Sequence, residues 1–492
     1  MPFILLGVVL ATHLVATVPL PAVAAPPAAY LADLSARRAS TMAALGPDTA
    51  LVLWSAPARV YSTDTDYEYR QESNLLYLSG IDQPDTTMVV IPGAPGQRAF
   101  LFVRAPNPTR ELWEGHTLTP EEITAHSGVA RVFPQQTTEA FDAFVGRLFA
   151  SGAASPEFGT FSSALTAGRA RLAILAPVDG RPTSDDEPHV LWAKTMAQRH
   201  PGLSVISAGR VLDRQRQIKT AYEQGILRRS VEISAEAHIE GMKVARPGRW
   251  EYEVEAAIEY WFHKSGALSW GYPSIVGSGP NATTLHYEKS TRQMQPGELV
   301  LVDAAGNYQG LTGDITRTYP VSGKFSPDQR RIYELVLRAQ DAGIAAARPG
   351  VEVPAITRAV RTVLGVGLLE LGLITDPKAA AGDSPQISWW FPHGPTHGIG
   401  MDVHEPLGTL EPGTAFVVEP GLYIRQDTLD RIASDPVQAE VARRIAPAVA
   451  RYRDIGVRVE DSFLMTVNGP EMLSSKAPRT VREIERVVGS AH

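Results

Sequence analysis

The sequence contains no cysteine among its 492 residues. Disulfide bonds, thiolate metal ligands, a cysteine nucleophile and a lipid-modified cysteine anchor are therefore excluded. The protein must stay folded through its core and through ligands other than thiolates. The absence of cysteine is compatible with export but identifies no compartment.

An excess of basic residues is also lacking. The 46 Lys and Arg are outnumbered by 53 Asp and Glu, which gives a net charge of −7. Without a basic footprint, nucleic acid is not an expected partner. Hydrophobic residues make up 44% of the chain and charged residues 20%, as in an ordinary globular protein. The length is sufficient for two or three domains with a large core.

The N-terminus lacks charged side chains and resembles an export signal. Phe3 to Val18 form an apolar stretch, and Ala22 to Ala25 offer small-residue cleavage sites. No Lys or Arg precedes this stretch, so only the terminal amine is positive. An uncleaved anchor or a buried helix is the alternative, but a histidine and two prolines interrupt the ~20 apolar residues that a membrane span needs. We expect residues 1–25 to be a signal peptide, removed on export to the periplasm or the medium, with no membrane span afterwards.

Residues 26–210 have the pattern of one α/β unit. A predicted helix at Ala28–Leu45 precedes the strand-like runs ALVLW, TMVVI and AFLFV, then helical FDAFVGRLF and the strand LAILAP. Gly- and Pro-rich breaks at 92–97 and 176–187 indicate turns or surface loops. A polar run near 213–220 suggests the boundary to a second unit, 211–492.

The second unit begins with helices and continues with strands that carry polar residues. A long predicted helix reaches Val244 and is ended by Arg246-Pro247-Gly248, and another follows over Glu251 to Phe262. The segment LVLVDAAGNYQGLTGDITRTY has the pattern of a β-hairpin with its turn between Tyr308 and Gln309.

This hairpin register would place Asp303 directly opposite Asp314. Like charges opposed across two strands are destabilising, and a buried carboxylate needs a partner. A shared cation resolves both problems. Two further carboxylates, Glu419 in FVVEPGLYI and Glu460 in GVRVEDSFLMT, lie within apolar runs. A single charged residue in an apolar run, such as Glu460, is more often an exposed strand residue than a metal ligand. Four such carboxylates in one chain favour a metal site.

Histidines cluster in FPHGPTHGIGMDVHEP, which contains His393, His397 and His404. Gly394-Pro395 argues against a helical zinc site there, and the absence of HExxH leaves a zincin mechanism without support. One imidazole among four carboxylates favours Mn²⁺, Co²⁺ or Fe²⁺ over a thiolate-seeking metal. Four carboxylates exceed the need of one divalent ion, so two ions that share bridging carboxylates fit the charge better.

The segment SIVGSGPNA offers a competing dinucleotide-binding pattern, with Asp303 about 20 residues beyond its glycines. The following segment has no apolar face to pack on a sheet, and Pro280 interrupts the glycine loop, so this interpretation is disfavoured. His286 is better explained as a polar residue that a glycine-rich loop delivers to a cleft. A surface histidine is the alternative.

The C-terminal half resembles the metallopeptidase family of aminopeptidase P, prolidase and methionine aminopeptidase. The motifs that carry the resemblance between about 215 and 485 are GSGPNATTLHY, LVDAAGNYQGLTGDITRTY, HGPTHGIGMDVHEP, VVEPGLYI and GVRVEDSFLMT. Residues 35–115 are similar to the N-terminal domain of that family, notably in YEYRQESNLLYLSGIDQPD and RELWEG. The resemblance implies an α/β N-terminal domain followed by an α+β pita-bread (creatinase/aminopeptidase) catalytic domain.

The resemblance also implies roles for individual residues. One ion would be held by Asp303, Asp314 and Glu460, and the other by Asp314, His397, Glu419 and Glu460. Two divalent ions are expected, with Mn²⁺ the first choice and Co²⁺, Zn²⁺ or Fe²⁺ as alternatives. Glu419 also lies where the family has the carboxylate that accepts a proton. The substrate-side residues would be His286, His404, His393, Arg458 and Tyr423.

The function implied is hydrolysis of the bond between an N-terminal residue and proline, so the partner is a peptide with proline at its second position. Prolidase activity on dipeptides is the alternative, since the insertion at 425–455 looks helical and resembles insertions in prolidase-like members. A metal-free, creatinase-like or binding protein is a third class. Pro395-Thr396 and Gly398 depart from the usual residues beside the proline pocket. Self-association is expected by analogy.

Overall fold

The computed structural model describes residues 26–91, 98–135, 139–150, 158–175 and 188–488. The expected signal peptide at 1–25 and the loops expected at 92–97 and 176–187 lie outside these ranges. Within them, no helix has both the length and the apolar character that crossing a membrane requires.

The N-terminal unit is a six-stranded mixed sheet with helices on its faces. Its helices are α1 Ala28–Leu45, α2 Ser73–Ser79, α3 Pro108–Glu114, α4 Pro120–Ser127, α5 Glu139–Leu148, α6 Gly159–Thr166, α7 Pro188–Arg199 and α8 Gly209–Gln217. Its strands are β1 Thr49–Trp54, β2 Val60–Ser62, β3 Thr65–Asp66, β4 Thr87–Ile91, β5 Arg98–Arg104, β6 Arg131–Gln135, β7 Ala170–Ile174 and β8 Leu203–Ser207. Every strand and helix that the sequence predicts in this unit is present.

The sheet has the order β6-β5-β4-β1-β7-β8, with β2 and β3 as a separate hairpin. β1 pairs in parallel with β7 and antiparallel with β4. Because both faces of β1 are covered, its run TALVLW is almost continuously apolar. Alternate residues face different cores: Val52 packs with the aromatic cluster of α5 and α6, whereas Leu51 and Leu53 face the C-terminal unit.

The C-terminal unit packs long helices around small antiparallel sheets. Its helices are α9 Ala221–Val244, α10 Glu251–Lys264, α11 Pro327–Ala346, α12 Val353–Glu370, α13 Gln426–Ser434, α14 Ala439–Tyr452 and α15 Val481–Val487. Its strands are β9 Ser269–Trp270, β10 Ile275–Ser278, β11 Leu299–Asp303, β12 Gly306–Tyr308, β13 Leu311–Thr312, β14 Thr316–Pro320, β15 Ala415–Val418, β16 Gly421–Tyr423, β17 Gly456–Arg458, β18 Asp461–Thr466 and β19 Gly469–Met472. The insertion at 425–455 is helical, as its sequence predicts.

The glycine-rich segment after β10 forms a short 3-10 turn at Gly279–Thr283 rather than the start of an α-helix. A dinucleotide site needs a helix N-terminus at this place to bind the pyrophosphate. The structure therefore agrees with the sequence argument against nucleotide binding.

The hairpin that carries the two aspartates exists, but its predicted register is wrong. β11 pairs with β14 so that Asp303 lies opposite Thr316, not opposite Asp314. The turn falls between Gln309 and Gly310, whose φ angles are 51° and 84°. A two-residue turn of this kind requires positive φ at both central residues, and Gly310 supplies one at little cost. The turn is thus one residue later than predicted, which shifts every strand pair by two.

A pair of like charges does lie face to face across two strands, at a place that the sequence did not predict. β15 pairs with β18 at Val418 and Asp461, and β16 pairs with β17 at Gly421 and Arg458. The Val459 amide donates to the Pro420 carbonyl at 3.3 Å between these two ladders. Glu419 therefore lies opposite Glu460, and the electrostatic argument for a shared cation applies to this pair.

One apolar cluster joins the two units. It contains Leu53 and Leu75 from the N-terminal unit together with Leu311, Ile399 and Met401 from the C-terminal unit. These residues are buried. The segment just before Asp314 and the segment just after His397 are therefore packed against the N-terminal unit. The relative position of the two units is consequently fixed by a common core.

Candidate metal centre

The five side chains predicted as metal ligands converge at the ends of the small sheets. Ligand atoms of Asp303, Asp314 and Glu460 lie within 4.8 Å of one another, as do those of His397, Glu419 and Glu460. Three of the carboxylates are almost fully buried, with exposed fractions of 7%, 4% and 1% for Asp303, Asp314 and Glu460. The exposed-strand alternative for Glu460 is therefore wrong.

Backbone hydrogen bonds place His397 beside Glu419. The segment that contains His397 runs along β15, where the Val417 amide donates to the His397 carbonyl at 3.0 Å. The Glu419 amide donates to the Pro395 carbonyl at 2.8 Å. These bonds require an extended backbone at 395–399, so the sequence argument against a helix here is confirmed.

Two buried polar atoms in the cluster have no hydrogen-bond partner. They are Nε2 of His397 and Oε1 of Glu460. His397 Nε2 lies 3.4 Å from Glu419 Oε1, 3.6 Å from Asp314 Oδ2 and 3.8 Å from Glu460 Oε1. The other ring nitrogen, Nδ1, lies 2.9 Å from the Gly398 carbonyl and donates its proton to it. In the neutral imidazole Nε2 therefore carries the free lone pair. A divalent cation between these atoms would satisfy the orphaned groups and the excess negative charge.

Burial and mutual repulsion perturb the pKa values of the carboxylates. Burial, with Glu460 and Asp303 nearby, raises the pKa of Asp314 well above its usual value. Burial and then Glu460 do the same to the pKa of Glu419. Burial and the Asp303 charge raise the pKa of Glu460 to about 8. Without a cation the cluster therefore holds protons at neutral pH.

Asp303 differs from the other three carboxylates because a buried cation faces it. Arg458 Nη2 donates to Asp303 Oδ2 at 2.5 Å. Burial would raise the pKa of Asp303, but the Arg458 guanidinium holds it below its usual value. Arg458 Nε also donates to Thr316 Oγ1 at 3.0 Å, and Thr316 donates to Glu460 Oε2 at 2.7 Å. The guanidinium thus orients two of the predicted ligands.

A hydrogen-bonded chain leads outward from the carboxylate cluster through Arg458, Tyr423 and His393. Arg458 Nη1 donates to the Tyr423 hydroxyl at 2.9 Å, and that hydroxyl lies 2.9 Å from His393 Nε2. Burial and then the Arg458 charge lower the pKa of His393 to about 3. Burial and then His404 lower the pKa of His397 to about 3. Both imidazoles are therefore neutral at physiological pH.

Two predicted histidines lie at the exposed rim. The His404 ring is exposed, and its centroid lies 4.0 Å from that of His397. His286 is exposed and follows Leu285, whose carbonyl lies 3.5 Å from Arg458 Nη2. The structure brings both histidines to the mouth of the cluster, next to the hydrogen-bonded chain of Arg458, Tyr423 and His393.

The sequence analysis missed Tyr272. Its buried hydroxyl lies 2.6 Å from Asp303 Oδ1 and 2.6 Å from Asp314 Oδ1. Tyr272 precedes β10, which pairs antiparallel with β11 and so begins beside Asp303. A polar aromatic residue just before a buried strand is a weak signal, because the sequence does not say which strand is the neighbour.

The three departures from the usual sequence beside the pocket have distinct positions. Thr396 Oγ1 donates to the Val417 carbonyl at 2.6 Å, so its hydroxyl supports the backbone. Pro395 supplies the carbonyl for Glu419. A Cβ on Gly398 would lie 2.9 Å from the Glu405 carbonyl, so this glycine allows the His404 loop to approach closely.

Comparison with protein families assigns the class. The metallopeptidase family M24 matches residues 225–467, and the N-terminal domain of aminopeptidase P matches residues 34–152. The fold and the buried cluster thus define a pita-bread metallopeptidase.

Relatives of similar length narrow the assignment. The chain is 32% identical to a Xaa-Pro aminopeptidase of Escherichia coli over 93% of this chain and 98% of that protein. It is 30% identical to the Xaa-Pro aminopeptidase of Haemophilus influenzae over 94% and 99% of the two chains. The chain belongs to the aminopeptidase P family of the M24 metallopeptidases.

Solved structures agree with the family. Proline aminopeptidase P II from Yersinia pestis matches with a TM-score of 0.77 and 31% identity, over 93% of this chain and 99% of that chain. Zinc-substituted aminopeptidase P of Escherichia coli in complex with product matches with a TM-score of 0.78 and 29% identity, over 94% and 99%. The fold predicted from the resemblance is confirmed.

Proposed function

We propose that the protein is a Xaa-Pro aminopeptidase that uses two divalent cations to hydrolyse the bond between an N-terminal residue and proline. The observation that carries the proposal is the pair of unpartnered buried atoms, His397 Nε2 and Glu460 Oε1, within four converging carboxylates. The names of the relatives support the substrate class.

Five residues would hold the cations. Asp303, Asp314 and Glu460 would bind one, and Asp314, His397, Glu419 and Glu460 would bind the other. Glu460 and Asp314 would then be shared. Their raised pKa values reflect burial and the negative charge of neighbouring carboxylates, which two cations would neutralise as each carboxyl loses its proton. The oxygen-rich donor set with one imidazole favours Mn²⁺, with Co²⁺, Zn²⁺ and Fe²⁺ as alternatives.

The chain supplies the groups that move protons and hold charge around the scissile bond. Bound cations would make hydroxide available from water near neutral pH. Glu419 would accept the proton of the attacking water and deliver it to the leaving imino nitrogen. His404 and His286 would donate hydrogen bonds to the carbonyl oxygen as negative charge develops there.

The proline ring would be bound by the chain of residues beyond Arg458. Proline has no N–H and restricts the preceding residue, so it needs a dedicated pocket for productive binding. The rings of His393 and Tyr423 lie with their centroids 5.6 Å apart, and His393, the more exposed of the two, would contact the proline ring. The Tyr423 hydroxyl bonds His393 Nε2 and accepts from Arg458 Nη1, and these two hydrogen bonds would hold the pocket in place.

Hydrolysis of two peptides tests the proposal. Purified protein that begins after residue 25 would be assayed on Arg-Pro-Pro and Gly-Pro, with Mn²⁺ and after chelation. Arg-Ala-Ala, which lacks proline, is the matched control substrate. Release of arginine from Arg-Pro-Pro alone, lost on chelation and restored by Mn²⁺, is the expected result.

The other outcomes point to different proteins. Cleavage of Gly-Pro without cleavage of Arg-Pro-Pro would make the protein a prolidase. Cleavage of Arg-Ala-Ala at a similar rate would contradict proline specificity. Absence of both turnover and bound metal would indicate a metal-free binding protein.

Export and self-association complete the proposal. The apolar stretch Phe3 to Val18 with small residues up to Ala25 supports cleavage and export. N-terminal sequencing of the protein from its native source should begin near Pro26, and an intact Met1 would contradict cleavage of the signal peptide. A homo-oligomer is our expectation by analogy, which the mass of the protein in solution would test.

A further inference from the structure

A buried charge cluster lies behind the loop that carries His404. Glu405 is the next residue in the chain, and its carboxylate contacts two buried cations. Arg216 Nη2 donates to Glu405 Oε1 at 2.7 Å, and Lys219 Nζ donates to Glu405 Oε2 at 2.8 Å. The side chains of Glu405, Arg216 and Lys219 are only 3%, 6% and 1% exposed. Asp402 balances the charge through a 2.6 Å contact with Arg216.

Glu405 organises the backbone of this loop as well as the charges. Its Oε1 accepts from the Met401 amide at 2.9 Å. Its own amide donates to the Gly398 carbonyl at 2.8 Å, and the Gly398 amide donates back at 3.1 Å. The loop is therefore closed at residues 398 and 405, which are the immediate neighbours of His397 and His404. The 4.0 Å distance between the two imidazole rings depends on this closure.

The cations come from the connection between the two units. Arg216 lies in the last turn of α8, and Lys219 precedes α9. Arg216 Nη1 also donates to Asn74 Oδ1 of α2 at 3.0 Å. From the same N-terminal unit, Ser73 Oγ donates to Asp402 at 2.9 Å, and Arg70 Nη2 donates to the Met401 carbonyl at 2.9 Å. The loop is thus held from both units.

We propose that Glu405 is a positioning residue that fixes His404 against His397, and that Arg216 and Lys219 make this position depend on the seating of the N-terminal unit. The inference rests on the proposed function, in which His404 stabilises developing charge on the substrate. A charge buried with two cations stabilises little in itself, because desolvation opposes the attraction. Its geometric effect is greater: a misplacement of about 1 Å in a catalytic group costs as much as ~100-fold in rate.

The test is a double-mutant cycle between Glu405→Gln and His404→Ala. Gln keeps the size and one acceptor of Glu405 but loses the charge that holds Arg216 and Lys219. Glu405→Gln alone should lower kcat on Arg-Pro-Pro by about 10- to 100-fold with metal content unchanged. In the His404→Ala background it should lower kcat no further, because it acts through His404. Equal losses in the two backgrounds would overturn the proposal.

An exposed ion pair that involves the same helix, α8, provides a matched control. Arg214 of α8 pairs with Glu411 at 2.8 Å, but the two side chains are 69% and 44% exposed. Exposed ion pairs contribute little, so Glu411→Gln should leave kcat and KM within about 2-fold of the wild type. A loss as large as that of Glu405→Gln would show that any charge change on this side of the molecule has the effect, and would contradict positioning.

Asp402→Asn and hydrogen exchange provide a second variant and a second measurement for the same proposal. If Glu405→Gln does not fold, Asp402→Asn replaces it in the same cycle, because Asp402 is 41% exposed and contacts the same arginine. Hydrogen exchange gives a readout that does not need activity. Faster exchange confined to residues 398–405 supports the inference, and unchanged exchange there overturns it. If the wild type cleaves no Xaa-Pro peptide, the proposed function is wrong, and hydrogen exchange alone decides whether Glu405 holds the loop.

Discussion

Replacement of Glu460 by Gln should separate metal binding from folding. Gln has the same size, and its amide oxygen can still accept from Thr316 Oγ1, which lies 2.7 Å from Glu460 Oε2. The substitution removes one negative charge from the buried group of Glu460, Asp303 and Asp314. The metal-free fold should therefore survive, whereas the shared cation ligand is lost.

The pKa of Glu460 sets the magnitude. Burial and the Asp303 charge raise it from 4.5 to about 8 in the folded protein. At ~1.4 kcal/mol per pH unit, ionising Glu460 in the metal-free fold costs about 5 kcal/mol more than in the unfolded chain. Glu460→Gln removes this cost, so at pH 8 or above the metal-free variant should melt at a higher temperature than the metal-free wild type. With cations the difference in melting temperature should narrow, because ligand at 100 times Kd stabilises the wild type by about 3 kcal/mol and should stabilise the variant little.

Thermal unfolding with and without Mn²⁺, together with elemental analysis, checks this prediction. The wild type should gain several degrees in Tm on addition of Mn²⁺, and the variant should gain little and cleave no Arg-Pro-Pro. Glu411→Gln, a surface carboxylate replaced in the same way, should behave as the wild type does. A Glu460→Gln protein with full metal content and unchanged turnover would refute the reasoning. A Glu460→Gln variant that fails to fold without metal would contradict the claim that the Glu460 carboxylate destabilises the metal-free fold.

Three further predictions follow from the same geometry. The Tm of the metal-free protein should fall as pH rises from 5 to 8, because the folded state retains a proton on Glu460 that the unfolded state has released above pH 4.5. Mn²⁺ should remove this dependence of Tm on pH. A metal-free Tm that does not change with pH would contradict the prediction. Tyr272→Phe should weaken metal binding by about 10-fold with little change in Tm, because it removes a hydroxyl that lies 2.6 Å from both Asp303 and Asp314. Competition with a chelator would measure the metal affinity. An unchanged affinity would show that Tyr272 does not orient the ligands. His393→Ala should raise KM for Arg-Pro-Pro more than it lowers kcat, because we propose that His393 lines the proline pocket. Steady-state kinetics would measure both constants, and a pure loss of kcat would place His393 in the chemistry instead.

The proposed metal ligands could be found from the sequence because each lies in or beside an apolar strand. Asp303, Asp314, Glu419 and Glu460 are charged residues where the pattern demands burial, and a buried carboxylate needs a partner. That argument depends on residue type and on local pattern, which the sequence contains. The electrostatic conflict was placed on the wrong pair, because it is Glu419 and Glu460 that lie opposite one another.

The hairpin register could not be fixed from the sequence for a physical reason. Glycine at position 310 accommodates positive φ, but position 309 is a glutamine, whose positive φ of 51° is unfavourable in isolation. The pairing of β12 with β9 favours the observed turn, and so does the close approach of Leu76, whose side chain would lie 3.3 Å from a Cβ at position 310. These are tertiary contacts, so local pattern alone placed the turn one residue too early.

The residues that orient the site were beyond the sequence analysis because their partners are distant in the chain. Tyr272 meets Asp314 across 42 positions, and Arg216 meets Glu405 across 189. Glu405 follows His404 in a motif that was interpreted through its histidines. Only the folded chain shows that its carboxylate is enclosed by Arg216 and Lys219. Positioning contacts of this kind follow from topology, whereas the ligands follow from composition and pattern.

Anomalous scattering from crystals soaked in Mn²⁺ would test the central claim most directly. We expect two peaks, about 3.5 Å apart as in other two-metal hydrolases, within bonding distance of Asp303, Asp314, His397, Glu419 and Glu460. A single peak would contradict the two-cation proposal. Peaks elsewhere, or none among these five residues in a protein that cleaves Arg-Pro-Pro, would contradict the assignment of the metal centre.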